Sequence, residues 1–150
     1  MQNFNLHFTL HLTQDKEQTK TSYDAAATFI EKDGTCFLFF DETNEKTQVK
    51  TKCRFEINGD SLRMRRNGPI VVEQTHARGQ KTQGYIQTPF GQIDTALHTH
   101  HFSFLKQDDT TFKIILHYEM QIGLEQTRTY HLEMTIKELI THDRTNQTNH

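Results

Sequence analysis

Apolar residues are scarce in this chain. They make up 33% of its 150 residues, the mean hydropathy is -0.77, and no stretch approaches the roughly 18 consecutive apolar residues of a membrane-spanning helix. A helical membrane protein is thereby excluded. The amino terminus, MQNFNLHFTLHLT, has no basic segment and no unbroken apolar core, so no signal peptide is expected. The two cysteines, Cys36 and Cys53, lack CxxC spacing. They can pair only through proximity in the fold, and reduced, buried thiols are expected. An excess of one charge is lacking too: 17 Lys and Arg against 19 Asp and Glu leave a formal charge of -2. That balance points to neither nucleic acid nor an anionic membrane as a partner. Catalytic motifs are missing as well. There is no GxSxG and no Gly-rich phosphate loop, and Ser22, Ser61 and Ser103 stand without a neighbouring motif. The expectation is a cytoplasmic, non-enzymatic protein that needs no cofactor.

What the chain does have is a two-residue period. Hydrophobicity this low often marks disorder, yet 11 Phe and 4 Tyr are spaced regularly along it. A sheet reconciles the two, because only one face of each strand needs to be apolar. Leu6, Phe8, Leu10 and Leu12 share one face, and Asn5, His7, Thr9 and His11 share the other. Gln14 to Thr21 is polar and reads as a loop, followed by a strand from Tyr23 to Glu31. Asp33-Gly34 is a two-residue hairpin turn into Thr35–Phe40. Glu42 to Thr47 reads as a second loop. Val49, Thr51, Cys53, Phe55 and Ile57 then face inward, and Lys50, Lys52, Arg54 and Glu56 outward.

Turns at Asn58-Gly59-Asp60, Asn67-Gly68-Pro69, Arg78-Gly79 and Pro89-Phe90-Gly91 separate shorter strands. Three longer strands are expected near Ile93–Leu105, Phe112–Ile122 and Gln126–Leu139. About ten strands and no helical period predict an all-β fold. The expected form is a single closed antiparallel up-and-down barrel over residues 1–140, with residues 141–150 as a polar tail. An even strand number lets the last strand close on the first and removes exposed edges. A two-sheet sandwich is the alternative.

Several residues carry a resemblance. Arg66-Asn67-Gly68 stands ahead of a strand, Gly84-Tyr85 lies within one, and Thr88-Pro89-Phe90-Gly91 forms the next turn, with Thr99 and Tyr118 following. On these residues, over the span Tyr23 to Ile136, the chain resembles the YwiB-like family of small bacterial proteins of unknown function. The resemblance implies a calycin-like (lipocalin-related) barrel and supplies no catalytic residues. The motif also has a direct physical meaning. Pro89 fixes φ and Gly91 admits positive φ, so together they force a tight reversal. Phe90, at its tip, is expected to cap one barrel mouth.

The strand after Gly91 changes phase. Ile93 and Leu97 place its apolar face at odd numbers, Phe102 and Phe104 at even numbers. An inserted residue, a β-bulge, is therefore expected between Thr99 and His101. Setting Phe104 opposite Phe112 and Tyr118 opposite Tyr130 then lines up His98, His117 and His131 on the outer wall, each pair about 5 Å apart at Cβ. Three such imidazoles are candidate ligands for a divalent transition metal, although a solvated His-rich face is the plainer account. Without a bulge, His98 and His100 would turn inward instead. Lys50, Lys52, Arg54, Arg63 and Arg65 form an outer basic stripe if Ile57 pairs with Leu62. No aromatic is expected to interleave there to stack bases, and Glu56 interrupts the stripe, so nucleic acid is not the expected partner.

On the inferred inner face Arg66, Tyr118, Arg128 and Tyr130 are polar, and carboxylates to pair the arginines are few. A buried guanidinium needs acceptors, and a barrel of this strand number can hold one small ligand. The expected function is binding of a small hydrophobic or amphipathic anion at Arg66, Tyr118, Arg128, Tyr130 and Phe90. An interaction protein using the barrel wall or edge is the second reading, and a metal-binding barrel the third.

Overall fold

Alternation becomes pairing along nearly the whole chain. The computed structural model describes residues 3–139. Within them lie ten strands: β1 (Asn3–Gln14), β2 (Glu17–Lys32), β3 (Thr35–Thr43), β4 (Lys50–Asn58), β5 (Ser61–Asn67), β6 (Val71–Ala77), β7 (Lys81–Thr88), β8 (Gly91–Asp108), β9 (Thr111–Ile122) and β10 (Arg128–Glu138). Each pairs antiparallel with the next. β1 also pairs with β10, from Phe4 opposite Glu138 to Thr13 opposite Thr129, and this closes the barrel. The sandwich alternative falls with that seam. Among the described residues no helix is long and apolar enough to cross a membrane. The expected tail, residues 141–150, lies outside the described residues, as does Ile140.

The turns follow their residue chemistry. Asp33 and Gly34 have φ of 53° and 81°, the positive pair that a two-residue hairpin matches to strand twist. Pro89 and Phe90 join Thr88 to Gly91, whose φ of 136° is open to glycine. One expected loop is mostly strand, and the other starts two residues later than expected. Only Asp15 and Lys16 turn between β1 and β2, and Glu17 onward pairs with β1. The ladder from β2 to β3 begins at Ala27, so Glu17–Ala26 has one unpaired edge. Glu17 to Ser22 are exposed on both faces, which explains why they show no apolar alternation. Glu42 is likewise in β3, not in the loop, while Val49 precedes β4 and is 41% exposed.

The predicted bulge is present. Thr99 pairs with Tyr118 and His101 with His117, so His100 is the extra residue, and Leu97 and Phe102 are both buried. A second register shift lies between Lys106 and Asp108. Asp108 Oδ1 accepts the N–H of Thr110 at 2.8 Å, which places the turn at Asp109-Thr110. Phe104 therefore faces Ile114 and not Phe112, and Leu97 faces Met120 and not Tyr118.

Packing differs between the two ends. At the end holding the β2–β3 and β8–β9 turns, Leu6, Leu38, Leu62, Ile114 and Ile136 are fully buried. Phe29 meets Phe4 and Phe112 at centroid distances of 5.6 and 5.0 Å and plugs that end. The opposite end is left open.

Candidate functional site

Polar side chains gather at the open end. A cavity of about 350 Å³ occupies that half of the barrel, walled by Phe8, Phe40, Phe55, Met64, Met120 and Leu132. Glu42 follows Phe40 at the same parity and so also faces inward. Cys53 stands opposite both Phe40 and Arg66, and Glu42 reaches across it. Arg66 Nη2 donates to Glu42 Oε1, and the Tyr23 hydroxyl donates to Glu42 Oε2 at 2.8 Å. Burial and the Glu42 carboxylate hold the Tyr23 hydroxyl far above its ordinary pKa. Burial opposes the charge of Arg66, but Glu42, Cys53 and Tyr23 together more than offset it and the guanidinium stays protonated. The Cys53 thiol is pushed up to about 11, mainly by burial. No group of this set is a ready nucleophile at neutral pH.

Tyr118 and Tyr130 pair across β9 and β10 and stack at 4.7 Å with nearly parallel rings. Beneath them His76 lies 4.4 Å from the Tyr118 ring. His76 Nε2 donates to Gln74 Oε1 and Nδ1 accepts from Thr99 Oγ1, both at 2.9 Å. That pattern fixes the neutral tautomer, and burial pulls the imidazole down to about 4. A cleft of about 550 Å³ along the unpaired edge of β2 shares Tyr23 and Phe40 with the cavity, giving it a side approach.

The family model described as Domain of unknown function (DUF1934) matches residues 6–134. The chain belongs to the DUF1934 family. It is also similar to a solved structure, the ywiB protein from Bacillus subtilis, at a TM-score of 0.80 and 16% identity, over 93% of each chain. Likeness at that identity shows the fold. No curated protein matches.

In this DUF1934 barrel Arg66, Tyr118 and Tyr130 line the cavity as the inner-face parity predicts. Phe90 does not. It sits beyond the last ladder pair of β7 and β8, where no wall faces it, and is 99% exposed. Arg128 stands at the rim outside the cavity lining and bonds Glu125 Oε1 at 2.9 Å, while its buried Nε has no partner. The arginines therefore have protein carboxylates after all. Glu42 lies in β3 and not in the expected loop, and its parity turns it inward.

The histidine row is corrected by the β8–β9 register, which sets Phe104 opposite Ile114 and so lies two residues from the expected match. His117 is opposite His131 as expected, but His98 faces Glu119, and the ladder continues through His101 on one side and His11 on the other. His117 and His131 stack at 4.1 Å with 21° between planes. Their in-plane lone pairs run side by side and do not converge on one ion. Burial, with His131 and His101 adding to it, keeps the His117 imidazole below its ordinary pKa. The basic stripe forms with Ile57 opposite Leu62, and Arg63 and Arg65 both pair with Glu73. Aromatics do interleave on that wall, however. Phe39 stands opposite Arg54 and Phe37 opposite Glu56, because β3 is apolar on both faces.

Tyr23, Glu42, Gln74 and His76 join the site without being among the expected residues. Parity was the available signal: Glu42 keeps the phase of Leu38 and Phe40, and Gln74 and His76 keep that of Val72.

Proposed function

We propose that this barrel binds one small amphipathic anion, with its apolar body in the cavity and its oxyanion on Arg66. The observation that carries the reading is the one-sided cavity of about 350 Å³ with a guanidinium on its wall. Its size falls within the roughly 300–1,000 Å³ of small-molecule sites. A guanidinium has five donors, and Arg66 engages Glu42 through Nη2, leaving donors for a bidentate oxyanion. Because Glu42 already neutralises Arg66, the ligand is exchangeable and not a folding requirement. The role is binding and not catalysis, in keeping with the raised pKa values of Tyr23 and Cys53. Cys36 and Cys53 are free thiols, which suits the reducing cytoplasm.

Thermal melts test this. At about 100-fold excess over Kd, a medium-chain carboxylate should raise Tm by roughly 5–10 °C, more than the alcohol of equal length. Arg66→Gln should cancel that difference and Arg128→Gln should keep it. Equal shifts from acid and alcohol in the wild type would remove the anion from the reading, and no shift from either would remove the ligand. A second reading, an interaction surface on the outer wall, draws on Ile30, Phe37 and Phe39, which cluster across β2 and β3 with Ile30 40% and Phe39 39% exposed. Partner capture would then depend on Phe39 and not on Arg66.

A further inference from the structure

The outer wall of β8 and β9 brings together His98, His100 and Glu119. Thr99 points inward and is fully buried, so its neighbours His98 and His100 both lie on the outer face, with ring centroids 4.3 Å apart. Glu119 stands opposite His98 on β9. His100 is the bulge residue, and a bulge re-aims its side chain. Its Nε2 lies 2.8 Å from Glu119 Oε1, and His98 Nδ1 lies 4.0 Å from the same oxygen. One donor atom from each residue falls within 4.8 Å of the other two.

We propose that His98, His100 and Glu119 bind a divalent transition metal ion of the zinc class. Two imidazoles and a carboxylate are a donor set of three-ligand zinc sites that keep an open position, and imidazole also suits nickel and copper. Bonds of about 2.0–2.2 Å place tetrahedral donors about 3.3 Å apart, so the triad must close further. The side chains are 36%, 48% and 41% exposed, which lets rotamers make that adjustment while the buried Thr99 and the ladder hold the backbone. Two imidazoles in contact repel when both are protonated, whereas one cation between them attracts both. Lys81 on β7 pairs with His98 and works against a cation. The Glu119 carboxylate offsets it, and micromolar affinity follows rather than the tighter binding of a buried site. The ladder through His117 and His131 is a separate feature, since its stacked rings do not converge.

Isothermal titration of chelator-treated protein with Zn²⁺ at neutral pH decides the matter. The expected result is one equivalent bound with micromolar Kd, weakened about tenfold or more in His100→Ala and in Glu119→Gln and unchanged in His131→Ala. All of these positions are on the outer face, so the variants keep the barrel core. Loss of binding in His131→Ala with retention in His100→Ala would move the ion to the ladder and overturn the assignment. The absence of saturable heat at micromolar zinc would overturn it as well.

Discussion

His76 is a fully buried histidine with both ring nitrogens hydrogen-bonded to neutral partners. Its folded pKa is about 4 against an ordinary 6.5. Between these values the unfolded chain binds a proton that the folded chain refuses. Stability from this group is therefore full above the ordinary value and declines as pH falls through the window toward the folded value. The full span is worth about 3 kcal/mol. Urea midpoints should fall between neutral pH and pH about 5, and His76→Phe, less stable overall, should flatten that slope. Parallel slopes in both proteins would place the linkage elsewhere. The polar inner residues show how far the site was legible. Arg66, Tyr118 and Tyr130 were found because alternation runs unbroken around them. Glu42 is not legible because the polar run that begins inside β3 resembles a loop from its first residue, and the partner of Arg66 is hidden with it.

At the level of single strands, legibility followed pairing. β4 reads directly because it is paired along both edges and its inner face is buried in the barrel. The first half of β2 does not, because an unpaired edge leaves both its faces wet and nothing forces a period. The β9–β10 register was legible from the tyrosines and the turn glycine. The β8–β9 register is not, because the bulge shows as a change of phase whereas the turn at Asp109-Thr110 is marked by no Gly or Pro. The first bulge makes its own prediction. Since His100 has no partner on β9, deleting it should regularise the ladder and cost at most about 1 kcal/mol by urea unfolding. Deleting Leu97 removes a buried side chain and turns either His98 and His100 inward or every residue from Phe102 onward to the wrong face, and should abolish folding. If the two deletions prove equally damaging, His100 is not the inserted residue.

Across the whole molecule, closure and packing are unevenly distributed. The seam of β1 with β10 is long, while that of β2 with β3 covers Ala27–Lys32 alone on the β2 side. Local opening should follow this asymmetry. Amides of β9 from Ile114 to Tyr118 should exchange with solvent at the slowest, global rate, and those of Lys20–Ala26 facing the unpaired edge much faster. A carboxylate bound at Arg66 should slow the second group, through Tyr23, without touching the first. Uniform protection along β2 would mean that the seam is closed in solution. The stacked tyrosines have one more consequence. The chain contains no Trp and 4 Tyr, and Tyr23, Tyr118 and Tyr130 border the cavity while Tyr85 bonds Glu73 on the outer wall. Its ultraviolet emission therefore arises largely from the ring of phenols around the cavity, so the protein carries a built-in optical reporter of whatever enters there.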